Sequence, residues 1–425
     1  MPSAIRLFVL VTAAIVLATA VTPLPDAAAR IPDRHRNEEG ARPRDGHRDE
    51  QRLQRGPAPR AWARRIDRMV DGLPVGIAVR EGGTFLYRHR ATQLRTPASN
   101  EKLLLAMALL NRLGPDATIP TQAAAAALPT AGILAGDLWI LGQGNPAVGP
   151  AAMAALARAV VTAGVTQIQG SVVGSMGYFR RDWQAPGWRR YFPRTEIPLP
   201  TALTFEGNVD RGVHIRDPEL RAARALTADL RELGVRVAGE ADARLPPDGL
   251  LPVAQVESPR LIELVEFTTR YSSNFYAEVL GKRLGVEHAG APGSIPKGAA
   301  AMRAWAAAGG ARARARDASG LSYANRISPI GLVRLLGVAE MTAWGEVFRE
   351  ALPQPGQGTM KGRLRGVPVH AKTGTLTEIS ALSGWVFARR ARAWIEFSIM
   401  SEGLPKDVAV NIEDRVVRML RRFAA

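Results

Sequence analysis

Three short motifs stand in a fixed order along the chain, and each carries a different group that acyl transfer can use. Ser99-Asn100-Glu101-Lys102 reads S-x-x-K, Ser272-Ser273-Asn274 reads S-x-N, and Lys372-Thr373-Gly374-Thr375 reads K-T-G-T. A serine hydroxyl is a poor nucleophile until a neighbour removes its proton. Lys102 lies three residues after Ser99 and would share a helix face with it. It can take the proton if burial beside a second cation lowers its pKa. Lys372 is the natural second cation, and with Thr373 it can also grip a terminal carboxylate. Ser272 can pass a proton to a departing amine, and Asn274 can orient a substrate amide. Taken together, the set points to acyl transfer through an ester on Ser99.

Each motif alone has a plainer reading. Ser and Asn between helices are ordinary turn and capping residues, and a Gly after a polar strand residue often marks a bulge. S-x-x-K also recurs at Ser294-Ile295-Pro296-Lys297. There Pro292, Gly293 and Pro296 disfavour a helix, so the two side chains need not converge. Ser99 instead precedes the apolar run Leu103-Leu104-Leu105-Ala106-Met107, which reads as a buried helix closing at Gly114-Pro115. Amides at its start can help hold an oxyanion. The joint order of the three motifs carries the reading.

Composition narrows the chemistry further. The 425 residues contain no cysteine, which excludes disulfides, thiol catalysis and cysteine-ligated metal. The six histidines are scattered without metal-ligand spacing, so neither a metal nor another cofactor is expected. His370 reads as structural, and Arg363 as a surface or packing residue. The formal charge is +17 and the pI near 11.0. This predicts attraction to anionic surfaces, with loose association with anionic membrane or wall polymers as one outcome; a generally basic solvated surface is the plainer and favoured reading. No nucleic-acid-binding motif accompanies the charge, so no nucleic-acid partner is expected. Almost all of the positive charge is arginine; the lysines are Lys102, Lys282, Lys297, Lys361, Lys372 and Lys406. Two of these six fall in the motifs, where an ammonium able to lose its proton is useful and a guanidinium is not.

The positioning elements can be read in order. Residues 1–29 have a basic start, an apolar centre and Ala27-Ala28-Ala29, the pattern of an export signal, with an uncleaved anchor as the alternative. Residues 30–60 are too polar to bury a core and read as a disordered basic linker. Val75–Arg80 and Thr84–Arg88 flank a Gly-rich turn and predict a hairpin. Leu261 to Leu284 predicts two helices joined near Tyr271-Ser272-Ser273. Val367–Lys372 predicts a strand, residues 383–399 a second hairpin, and Val408–Phe423 a closing helix. Residues 121–255 mix helices and short strands, predicting an inserted α+β domain that splits a catalytic domain of 61–120 and 256–425.

With these residues in place, the chain resembles the low-molecular-mass class C penicillin-binding proteins, serine D-Ala-D-Ala carboxypeptidases and endopeptidases that act on peptidoglycan. The resemblance rests on Pro97-Ala98-Ser99-Asn100-Glu101-Lys102-Leu103, Asn274-Phe-Tyr-Ala-Glu-Val-Leu280, Asp317-Ala-Ser-Gly-Leu-Ser322, Gly358-Thr-Met-Lys361 and Lys372 through Gly384. It implies an α+β fold: a transpeptidase/β-lactamase-like domain, antiparallel sheet flanked by helices, with a smaller α+β domain inserted. It implies Ser99 as the acylated nucleophile, Lys102 as its base, and Ser272 and Asn274 lining the cleft. Lys372, Thr373 and Thr375 would form the sheet-edge wall, with the backbone amides of Ser99 and Thr375 as the oxyanion hole. The implied partners are peptidoglycan peptides, with β-lactam antibiotics as covalent inhibitors, and the implied location is extracytoplasmic.

The pattern departs from the family at Ser273, where Asp or Asn is usual, and at Ala318, where Gly is commoner. Phe205-Glu-Gly-Asn208 runs almost directly into Asp217-Pro218-Glu219, which implies a shortened insertion. The resulting expectation is an exported serine D-Ala-D-Ala carboxypeptidase that also cuts cross-links. The alternatives are a β-lactamase of related fold and a silent wall-binding protein.

Overall fold

The computed structural model describes residues 61–423; the expected export signal and linker lie outside the described residues. An antiparallel sheet of five strands organises the molecule. Its order is Val369–Leu376, Ile379–Ala388, Ala393–Glu402, Val75–Glu81, Thr84–His89. Strands from the first and last parts of the described chain therefore share one sheet. The fold is α+β, as expected.

Alternation along the central strands sends side chains to two separate cores, the consequence of a two-residue period. Leu382, Val386, Ile395, Phe397 and Ile399 pack under the helices Ala61–Val70 and Lys406–Phe423. Ala381, Trp385 and Met400 face the opposite way, into a larger core built on the helices 101–113, 261–270, 274–289, 295–308 and 329–340. With both faces covered, the strand Ile379–Ala388 is buried along nearly its whole length, only Phe387 being half-buried.

A second, mixed sheet runs Asp242–Arg244, Val172–Ser175, Leu138–Gly142, Pro120–Ala125, Leu251–Glu257. The helices Pro150–Thr162 and Pro218–Glu232 pack on it through Met153, Leu156, Val160, Ala222, Leu226 and Leu230. After Asn208 the chain closes as a minimal hairpin, Val209–Asp210 against Val213–His214.

Two expectations change. The third-motif strand begins at Val369 and runs on to Leu376, so all of Lys372-Thr-Gly-Thr375 is strand, paired with Ser383 to Ser380. The second S-x-x-K does start a helix, Ile295–Ala308. Pro296 sits in its first turn, where the missing N–H costs nothing, and Ser294 caps it by accepting from the Lys297 amide at 3.3 Å. The side chains still diverge: Lys297 Nζ turns back to the carbonyls of Ala289, Gly290 and Pro292.

Candidate active site

Ser99 lies in a single 3₁₀ turn, Ala98–Asn100, that leads straight into the helix Glu101–Leu113. That helix is buried from Glu101 to Leu110, so the turn is held from below by the larger core. From above it is held by the sheet: Asn100 Nδ2 donates to Ser383 Oγ at 2.7 Å, and Ser383 Oγ to Ser398 Oγ at 2.9 Å. Ala98, just before the serine, sits at φ 48°, a region L-residues seldom occupy. Two glycines allow it. A Cβ on Gly374 would lie 2.6 Å from the Pro97 carbonyl oxygen, and one on Gly320 would lie 2.0 Å from that of Ala98. The third-motif strand and the 317–322 loop thus close on the serine turn from two sides, and only glycine fits at either approach.

Lys102 is fully buried and its amine has three neighbours. Nζ is 2.5 Å from the Ser319 carbonyl oxygen, 2.9 Å from Asn274 Oδ1 and 3.2 Å from Ser99 Oγ. The first can only accept a hydrogen bond. The second is also an acceptor, because Asn274 Nδ2 donates to the Glu196 carbonyl oxygen at 3.1 Å, which fixes which way the amide faces. A neutral amine has two N–H groups and one lone pair. With both N–H groups committed to Ser319 and Asn274, the lone pair is left for the proton of Ser99.

The protonation of that amine is set by opposing forces. Burial pushes the Lys102 pKa down to about 8, while Asp317, Glu278 and Glu101 pull it up. Desolvation is therefore what lowers Lys102; three acidic neighbours outweigh the repulsive second cation expected from the sequence. Lys372, also fully buried, is held well below the usual lysine range by burial first, then by Lys102 and Lys406. Its Nζ donates to Ser272 Oγ at 2.9 Å and to the Thr373 carbonyl oxygen at 2.8 Å.

The second motif joins two helices. Ser272 links Leu261–Arg270 to Asn274–Ala289 at φ 56°. Ser273 is the N-cap of the second helix, its Oγ accepting from the Tyr276 amide at 3.2 Å. Asp, Asn and Ser all cap well, which explains why serine serves at this position. Thr373 is half-buried and Thr375 exposed on the strand edge, opposite Leu382 and Ser380 respectively. Lys406 approaches the same strand, donating to Gly374 O at 3.3 Å and Ser380 Oγ at 2.7 Å.

Arg363 ties the closing helix, donating to Glu413 Oε2 at 2.8 Å and Asp414 Oδ1 at 2.6 Å. His370 packs edge-on against Trp394, with ring centres 5.0 Å apart.

Sequence reasoning missed the groups that hold Lys102. Asp317 is fully buried and accepts from five donors: Trp188 Nε1, the amides of Gly320 and Ser322, Ser319 Oγ and Asn325 Nδ2. Glu278 Oε1 accepts from the amides of Ala318 at 2.9 Å and Ser319 at 2.7 Å. A signal existed for Glu278, which follows Asn274 by four residues and so shares its helix face. None existed for Trp188 or Glu196, which lie 129 and 78 positions from the residues they hold, Asp317 and Asn274.

Several known proteins resemble this chain. The sequence pattern of the D-Ala-D-Ala carboxypeptidase 3 (S13) family matches residues 66–197 and 198–423. The D-alanyl-D-alanine carboxypeptidase of Actinomadura sp. (strain R39) is 25% identical over 449 residues, covering 84% of this chain and 83% of that one. The penicillin-sensitive carboxypeptidase A of Dictyostelium discoideum is 28% identical over 229 residues, half of this chain and 44% of its own. The crystal structure of penicillin binding protein 4 (dacB) from Haemophilus influenzae shares the fold with a TM-score of 0.74 at 18% identity. The match spans 84% of this chain and 99% of that one.

Proposed function

Because the chain belongs to the D-Ala-D-Ala carboxypeptidase 3 (S13) family, we propose that it works through an acyl-enzyme on Ser99. Its activity is that of a penicillin-binding serine D-Ala-D-Ala carboxypeptidase acting on peptidoglycan stem peptides. Ser99 Oγ attacks the carbonyl carbon of the penultimate D-Ala while its proton passes to the lone pair of Lys102 Nζ. The C–N bond then breaks, and the departing D-Ala amine takes a proton from Ser272, which the Lys372 ammonium replaces. Water then attacks the ester and gives a proton back through Ser272 to Lys372, while Lys102 returns its proton to Ser99 Oγ. The amides of Ser99 and Thr375 hold the oxyanion, and Lys372, Thr373 and Thr375 receive the terminal carboxylate.

The arrangement around Lys102 Nζ carries this reading. Two acceptors and one hydroxyl surround a buried amine whose pKa falls to about 8. β-Lactams would acylate the same serine; a solved structure of the Haemophilus influenzae protein is complexed with one. The same site would cut cross-links, where the leaving amine belongs to a second stem peptide. We assign the work to the outer side of the cytoplasmic membrane, after export directed by residues 1–29. Among the described residues no helix is long and apolar enough to cross a membrane. Residues 121–255 act as a module inserted into the catalytic domain.

The direct test is release of D-Ala from purified muropeptides, with fluorescent penicillin labelling in parallel. Both signals should vanish together in Ser99→Ala. Release of D-Ala by that variant would sink the assignment.

A further inference from the structure

Lys102 is aimed by a backbone carbonyl, and a carbonyl is only as well placed as the peptide that bears it. The Ser319 carbonyl lies in a loop outside regular structure, residues 315–322, that crosses beneath the serine turn. One side chain grips this peptide from the helix side. Glu278, 1% exposed, accepts from both the Ala318 and the Ser319 amide through the same oxygen. The Ser319 unit thus receives a hydrogen bond from Lys102 at its carbonyl and gives one to Glu278 at its amide. Asn274, four residues before Glu278 on the same helix, supplies the amine's other acceptor. One helix therefore sets both partners of the base, one directly and one through a loop.

We propose that Glu278 is a positioning residue for the Lys102 amine, acting through the Ala318–Ser319 peptide and by its own negative charge. This rests on the assignment of Lys102 as the acylation base. The ionisable groups that face Glu278 are Asp317, Lys102, Glu101 and Lys282. Lys282 is engaged elsewhere, with Asp182 and the carbonyls of Arg180, Asp182 and Pro200. Asp317 is engaged with its own five donors. Lys102 is left as the cation on which the charge of Glu278 acts at the reacting centre. Burial and Asp317 push the Glu278 pKa up to about 7, so the carboxylate forms just below the range in which Lys102 loses its proton.

The test uses the full chain and the acylation rate with fluorescent penicillin, followed from pH 5 to 10. Glu278→Gln can still accept from both amides but carries no charge. Removing an anion beside an ammonium eases its deprotonation, so the acidic limb should move to lower pH by about half a unit or more. A residue with a purely structural role would not move that limb. Glu278→Ala removes the grip as well, and the plateau rate should fall by about tenfold or more. An unmoved limb in the Gln variant overturns the proposal whatever its plateau. A folded Ala variant with the native plateau overturns it too. Ser99→Ala is run alongside: persistent labelling there would overturn the nucleophile assignment, whereas the limb of the Gln variant judges Glu278 by itself.

Discussion

Lys372 Nζ donates to Ser272 Oγ at 2.9 Å across a separation of 100 residues. The hydroxyl thus meets a buried amine with which no carboxylate pairs among the described residues. Burial first, then Lys102 and Lys406, lower the Lys372 pKa well below the usual lysine range. In the proposed cycle the proton carried by its ammonium is therefore readily surrendered, with Ser272 as the outlet. Ser272→Ala should cut D-Ala release by about 10²-fold, while changing stability by no more than about 1 kcal/mol. Steady-state release and thermal melting are the measurements. Native release in that variant would remove Ser272 from the proton path.

The two S-x-x-K copies make opposite predictions. Ser99 faces a buried amine; Ser294 caps a helix while Lys297 points back at three carbonyls. Ser99→Ala should lower penicillin labelling by about 10³-fold or more. Ser294→Ala should label normally and lose only about 1 kcal/mol of stability, the value of a cap. Labelled-peptide mapping decides between them.

The state of Lys102 sets the pH dependence. Its pKa is depressed to about 8, and the base must be neutral to accept a proton. Acylation should thus rise with pH through that value and flatten above it, with about a tenth of the plateau rate at pH 7. Lys102→Arg keeps the charge but cannot release it, so acylation should collapse at every pH. Near-native acylation in the Arg variant would exclude Lys102 as base.

How much of this is legible in the sequence depends on whether the chemistry lies in residue type or in placement. That Lys102 meets Ser99 and Asn274, and Lys372 meets Ser272, can be read from the motifs, because few residue types suit the proposed chemistry and the spacing within each motif is short. The sheet can be read because strands buried on both faces are mostly apolar, with small serines among the exceptions. What stays hidden is supplied by the backbone. The Ser319 and Glu196 carbonyls act through atoms that every residue possesses, so nothing in their side chains announces them. Pro296 reads as a helix breaker, yet its place in the first turn of the helix at Ile295 makes it harmless. The Lys102 shift escapes the motif as well, because the burial that causes it, and the approach of Asp317 and Glu278 that opposes it, belong to the folded chain.

Gly320 tests whether the close approach to the serine turn matters. It has φ +83°, and a Cβ there would lie 2.0 Å from the Ala98 carbonyl oxygen and 3.0 Å from the Ser99 amide nitrogen. Neither atom can retreat easily, because Gly374 leaves Pro97 and Ala98 equally little room on the other side. Gly320→Ala should therefore destabilise the protein by about 2–4 kcal/mol and slow acylation, since the added methyl must displace the nucleophile's own turn. Gly366 provides the comparison: its φ is +74°, and no atom lies within 4 Å of the place a Cβ would take. Gly366→Ala should cost only the backbone strain, about 1 kcal/mol, and label at the native rate. Thermal melting and penicillin acylation of the two variants side by side separate strain from contact. Equal melting temperatures with native acylation in both would mean that the 317–322 loop does not brace the serine.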